Sequence, residues 1–206
     1  MRTSVAAVHG LVAAVDPWDG VEGRHREQVL RWLESTDDVY RRRKPDVPDP
    51  HLVSYVALVT DDAVLLADHV AAGLWLPPGG HVEPGEHPAD TALREVHEEL
   101  GVGARFLTDP PAPAFVTVTR TVGAGSHVDV SLWFLLRGDP VASLTPDPAE
   151  IRSTRWWTFE EVLAADASTL DPYLPRFSAK VAAASSTRGV RRPWSHGGDG
   201  PRTTRT

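Results

Sequence analysis

Three glutamates, Glu95, Glu98 and Glu99, recur at i, i+3 and i+4 in a stretch with helical spacing, which sets their carboxylates on one arc of a helix. Left alone, such neighbours repel and raise one another's proton affinity. A hard divalent cation stabilises them better than water does, and an all-oxygen donor set suits Mg²⁺ or Mn²⁺. A solvated acidic helix face is the ordinary alternative for a glutamate run. Arg94, four residues before Glu98, is spaced to orient one of the carboxylates. Upstream lie Glu86 and the paired Gly79-Gly80, where backbone groups can approach a ligand closely.

These residues need a rigid carrier. His87-Pro88 and Leu100-Gly101 bracket a helix over residues 88–100, with proline at its first position and glycine just past its end. At about 100° per residue, Ala89, Leu93, Val96 and Leu100 form an apolar stripe for packing on a core, nearly opposite the glutamates. Before it, residues 74–83 (LWLPPGGHVE) read as a short strand, a tight turn and a second strand.

Residues 80–102 spell G-x5-E-x7-R-E-U-x-E-E-x-G-U, where U is aliphatic. This resembles the Nudix box, the signature of the Nudix hydrolase superfamily, with no departure at its constrained positions. A chance match in a chain of this length is on the order of one in ten million, so the solvated-face alternative loses most of its weight. The resemblance covers roughly residues 50–165 and implies an α-β-α sandwich and hydrolysis of a nucleoside diphosphate linked to another group. Metal ions would neutralise the phosphates and acidify the attacking water. Carried over by position, it makes Glu95, Glu98 and Glu99 the metal ligands and base candidates, with the base unassigned. Arg94 joins Glu95 and Glu98 in the catalytic set as the partner of a box carboxylate, and Glu86 braces the loop. Trp75 to Gly80 resembles the W-x-x-P-G-G segment of these proteins, which makes the Gly79 carbonyl a further metal donor. Trp156 to Glu161 resembles a late W-x-x-x-x-E element, near which some members place another metal-binding glutamate. Glu150 is that candidate here, and an exposed loop carboxylate is the equal alternative.

Substrate contacts are sought nearby. His81 and Gly80 adjoin the glycine turn and could touch phosphate. His127, Asp129 and Ser131 alternate on one strand face beside a glycine turn, either to read a base or phosphate or as a partly solvated polar face. Trp75, Trp133, Trp156 and Trp157 offer rings for stacking, Trp156 foremost, although such residues are more often core.

The 206-residue chain, 41% hydrophobic with a net charge of −7, suits one domain with terminal additions and argues against binding a nucleic-acid polymer. The absence of cysteine excludes disulfides and thiolate chemistry and fits a cytoplasmic protein. No stretch is long and apolar enough to expect a membrane span. The expected fold class is α/β: a mixed sheet in an α-β-α sandwich, plus an N-terminal helical extension. Residues 1–48 read as that extension and a linker, with helices over 4–15 and from Asp16-Pro17 or Asp19 through Leu33, then a basic run at 41–44. The core domain is expected over 49–183, with strands at 51–59, 63–68, 115–122 and 127–136, a capping box at Thr158-x-x-Glu161, and a helix containing Phe177 and Val181. A disordered tail is expected over 184–206. The function expected is Mg²⁺- or Mn²⁺-dependent hydrolysis of a nucleoside triphosphate, a damaged or modified one included. Hydrolysis of ADP-ribose or a nucleotide sugar is the runner-up, and a non-catalytic nucleotide-binding module is the alternative of another class. The N-terminal helices are candidates either for covering the substrate cleft or for forming a homodimer.

Overall fold

The structure, a computed structural model, describes residues 4–40, 49–121 and 126–188. The basic run at 41–44, the glycine turn at 123–125 and residues 189–206 lie outside the described residues. Two helices come first, α1 (Val5–Ala13) and α2 (Gly20–Ser35), then four strands, β1 (His51–Val59), β2 (Ala63–His69), β3 (Leu74–Leu76) and β4 (Gly79–His81). Helix α3 (Pro88–Leu100) follows, then β5 (Pro113–Arg120), β6 (Val128–Arg137), β7 (Ile151–Thr158), α4 (Phe159–Ala164), a 3₁₀ turn, and α5 (Leu174–Arg188). No helix among the described residues is long and apolar enough to cross a membrane.

The strands form one mixed sheet in the order β3-β2-β1-β6-β5, with β4 also paired to β1 and β7 to β2. β1 and β6 run parallel from His51↔Asp129 to Val59↔Arg137, and the other pairings are antiparallel. Period-2 alternation sends successive side chains to opposite faces. One face carries Leu52, Val56, Val130, Leu132 and Phe134 and packs with Ala89, Ala92, Val96 and Leu100 of α3. The other carries Ala57, Val59 and Trp133 and packs with Val162 of α4 and Leu174, Phe177 and Val181 of α5. The β6 face expected to be a partly solvated polar surface is therefore largely core. Ser131 and Trp133 are buried, and the indole Nε1 of Trp133 donates to Thr117 Oγ1 at 3.0 Å.

The 74–83 segment is the strand, turn and strand expected, and its two strands take different partners: β3 pairs with β2, whereas β4 pairs with β1 and contains both glycines. Two other expectations change. Strand β7 was not foreseen, because on this sheet edge one face stays exposed and Arg152, Ser153, Thr154 and Arg155 break any apolar run. Helix α5 runs through Arg188, so the tail expected from 184 begins inside a helix.

The N-terminal helices share the core rather than hanging from it. Ser4 and Asp19 accept from the first-turn amides of α1 and α2, Ser4 from Ala7 and Asp19 from Val21 and Glu22. Val8, Val12, Val29 and Leu33 bury into the α3-side core, and both helices lie on β5. They thereby cover an edge strand that would otherwise offer unpaired backbone to a second chain.

A buried ion pair ties them to α5. The Glu22 carboxylate is fully buried, accepts from the Trp18 amide at 2.6 Å, and receives Lys180 Nζ at 2.9 and 3.0 Å. Lys180 also donates to the Asp16 carbonyl, and Arg176 pairs with Asp19. Truncating one partner leaves a charge buried without its counter-ion. Lys180→Ala is therefore expected to cost about 3–5 kcal/mol in a urea melt. The double variant Lys180→Met/Glu22→Leu should recover most of that loss.

Candidate active site

Helix α3 begins where His87 Nδ1 accepts from the Ala89 amide and ends where Gly101, at φ +70°, adopts the left-handed conformation that closes the last turn. Its buried stripe is Ala89, Ala92, Val96 and Leu100. Leu93, expected on that stripe, is 37% exposed, and Ala92 takes its place against the sheet.

The glutamates do not stand on a solvated arc. Glu95 and Glu99 are only 8% and 5% exposed, turned inward along β4, while the side chain of Glu98 is 56% exposed. The glycines of β4 make this inward placement feasible. A Cβ on Gly80 would overlap Glu95 Oε1 and lie 2.6 Å from its Cδ. A Cβ on Gly79 would overlap the Ser54 carbonyl and lie 2.9 Å from Tyr55 Cα. Both positions demand glycine, one to admit a carboxylate and the other to admit the neighbouring strand. Ser54 on β1 fixes the helix start by donating from Oγ to the Pro88 carbonyl at 2.8 Å.

Arg94 is the hub of the acidic set. Nε and Nη2 donate to the two oxygens of Glu86, each at 2.9 Å. Nη1 donates to Glu95 Oε1 at 2.7 Å and Glu98 Oε2 at 2.9 Å, and Nη2 also reaches the His81 carbonyl at 3.2 Å. Glu86 additionally receives Thr91 Oγ1 at 2.7 Å and the Glu83 amide at 3.1 Å. Burial works against its ionisation, but Arg94 and Thr91 hold its proton affinity below the usual carboxylate value. The same pairing with Glu86 raises the proton affinity of Arg94 further.

Glu99 lies outside the ring of Arg94 contacts. Its Oε2 receives the Gly79 amide at 3.3 Å. Burial first, then the negative charges of Glu95 and Glu150, push its pKa to about 8. Glu95 is raised as well, by burial, with Arg94 opposing and the charges of Glu98 and Glu150 adding. Glu150 is exposed in the turn before β7, and its charge acts on both buried carboxylates. The turn is held near the helix end by the Asp147 amide, which donates to the Glu99 carbonyl at 3.0 Å.

This oxygen-rich, excess-negative corner fits a hard divalent cation by the chemistry of its donors. The structure brings together Glu95, Glu98, Glu99, Arg94, Gly79 and Gly80, with Glu150 within electrostatic reach. The Gly79 amide, rather than its carbonyl, is the group directed at Glu99. It does not bring Trp156 there. That ring packs against Gly138 and the core beyond Val59, near the opposite end of β1. His81 and His127 gather instead with His51 and Asp129. His51 and the Asp129 contact escaped sequence reading because only the parallel β1–β6 register sets residues 78 positions apart side by side.

Against known proteins, the NUDIX domain family matches residues 49–177. The chain is 43% identical over 58 residues to the asymmetrical bis(5'-nucleosyl)-tetraphosphatase of Mus musculus, covering 28% of this chain and 40% of that protein. It is 34% identical over 102 residues to an RNA pyrophosphohydrolase of Cereibacter sphaeroides, covering 44% and 63%. The chain thus spans less than two thirds of either relative's length. Among solved structures, a NUDIX family hydrolase from Clostridium perfringens superposes with a TM-score of 0.50 at 21% identity, covering 66% of this chain and 97% of that one, which shows the likeness of fold.

The two glycines fail differently when substituted. Gly79→Ala should lower stability by about 1–3 kcal/mol, since backbone must give way. Gly80→Ala should leave the melting temperature nearly unchanged, because the clash is with a side-chain tip, while weakening Mg²⁺ binding measured by calorimetry. A pH effect follows from Glu99. Its folded pKa, about 8, lies above the ordinary 4.5. The folded chain therefore holds this proton more tightly, and stability in chelator should fall as pH rises through that window. Glu99→Gln should flatten the decline in thermal melts, and so should saturating Mg²⁺.

Proposed function

This chain belongs to the NUDIX domain family, and from that membership we propose that it is a Mg²⁺- or Mn²⁺-dependent hydrolase of a nucleoside triphosphate, modified or oxidised ones included. Water attacks phosphorus and a phosphoanhydride bond breaks. The observation that carries the reading is the packing of Glu95 and Glu99 against the glycine strand β4, with Arg94 linking Glu95 to the solvent-exposed Glu98.

In this reading Glu95, Glu98 and Glu99 would hold the cation, with Glu150 and the Gly79 carbonyl as further donors. When bound, the cation neutralises phosphate charge and makes water more acidic. The protein's own groups do the rest. Glu95 and Glu98 are the candidates for accepting the proton of the attacking water, and Glu98 is the one open to solvent. Arg94 acts through the carboxylates it orients rather than on substrate, because its donors are already directed at them and at His81. The glycine backbone at 79–80 leaves room for the Glu95 carboxylate and for strand β1.

A second reading, hydrolysis of a dinucleoside polyphosphate, is favoured by the identity to the mouse tetraphosphatase across the segment both share. The two readings place the same chemistry on different substrates. Glu98→Gln should lower kcat about 10²–10⁴-fold with the fold intact by circular dichroism. A panel of canonical and oxidised triphosphates, dinucleoside polyphosphates and sugar-linked nucleotides, run in ¹⁸O water with Mg²⁺, identifies the substrate and the attacked phosphorus. Absence of Mg²⁺-dependent turnover on every member would overturn the enzymatic reading in favour of a nucleotide-binding module.

A further inference from the structure

The sheet face away from α3 carries a second constellation that the glutamate chemistry does not use. Three neighbouring strands frame it: His81 ends β4, His51 opens β1, Asp129 is the second residue of β6, and His127 immediately precedes that strand. The register fixes their meeting. His51 is the parallel partner of Asp129, and His81 is the antiparallel partner of Val53, two residues along β1 and on the same face as His51. One ligand atom from each of the four residues lies within 4.8 Å of the others.

The details favour a cation at the centre. Asp129 Oδ1 is 3.1 Å from Nε2 of His51, 3.1 Å from Nε2 of His127 and 3.8 Å from Nε2 of His81. In a tetrahedral site with metal–ligand bonds of about 2.0–2.1 Å, ligand atoms sit about 3.3 Å apart, so these separations bracket the expected edge. That oxygen is buried, and no N–H among the described residues meets it in hydrogen-bond alignment despite the short distances. The three rings crowd together beside it: His81 is tilted by 46° to His51 at 4.9 Å between centroids and by 47° to His127 at 5.9 Å, while His51 and His127 stack at 28° and 4.8 Å. His51 is wholly buried and His127 nearly so, while the His81 side chain is 37% exposed, leaving an entry path on one side.

We propose that His51, His81, His127 and Asp129 bind one transition-metal ion of the Zn²⁺ class, at a site separate from the glutamates of α3. Three imidazoles and one carboxylate select borderline ions such as Zn²⁺ or Co²⁺ over Mg²⁺, which demands oxygen ligands. Four protein ligands close the tetrahedron, so the ion has a structural role. It would pin the three-residue strand β4 to β1 and β6, and with it the Gly79-Gly80 backbone on which Glu95 and Glu99 rest.

The test uses the full chain, stripped with chelator and then titrated with Co²⁺ in excess Mg²⁺. The expected result is one equivalent bound per chain with the visible absorption of a four-coordinate site, displaced by Zn²⁺ and undiminished in Glu98→Gln. At a hundredfold excess over Kd, Zn²⁺ should raise the melting temperature by about 5–10 °C. Asp129→Asn and His127→Ala should each weaken Co²⁺ binding by more than about tenfold. If His127→Ala loses its fold by circular dichroism, His81→Gln at the more exposed ligand decides in its place. The proposal is overturned by absence of saturable Co²⁺ binding in Mg²⁺, by retention of that binding in the ligand variants, or by its loss in Glu98→Gln, which would assign the ion to the glutamates.

Discussion

One guanidinium makes the acidic helix tenable. Arg94 has five N–H donors in a planar fork, and here they meet Glu86 twice, Glu95, Glu98 and the His81 carbonyl. Without it, the carboxylates would face one another with no cation between them, and burial raises the proton affinity of Glu95 and Glu99, the two drawn in against the strand. A lysine offers a single compact charge and three donors, and cannot span loop, helix and strand at once. Loop geometry through Glu86, helix placement through Glu95 and Glu98, and strand placement through His81 therefore share one anchor.

The division of labour within the acidic set follows from which carboxylates that anchor reaches. Glu86 is fully engaged and structural in its contacts. Glu98 is tethered but open to water. Glu99 has only a backbone amide to offset burial and two negative neighbours. The least compensated carboxylates thus lie at the Gly79 end of the helix, the place that the proposed reading gives to cation and substrate phosphate.

Helix α3 was legible in the sequence because its signals are local: Pro88 at the start, Gly101 past the end, and glutamates at helical spacing. Its orientation was less so. Periodicity alone set Leu93 on the buried stripe and the glutamates on the opposite side, whereas the missing side chains of Gly79 and Gly80 let β4 approach and draw Glu95 and Glu99 inward. The central strands β1 and β6 announced themselves by β-branched and aromatic runs. Edge strand β7 did not, since half of it faces solvent. The histidine cluster was illegible for a different reason. Parallel pairing leaves no mark in sequence spacing, so His127 and Asp129 were visible as neighbours while His51, their partner across the ladder, was not.

The pairing of Glu22 with Lys180 carries a consequence for how the chain is made. As the polypeptide leaves the ribosome N-terminus first, Glu22 is synthesised 158 residues ahead of the ammonium that neutralises it. Until α5 has emerged, α1 and α2 have neither that counter-ion nor the Arg176 contact to Asp19, and β5 and β6 lack Phe177 against Trp133. Closure of such long loops is entropically slow. Docking of α1 and α2 with their full set of partners must therefore wait until α5 has been translated, although both helices precede the β5 edge that they cover.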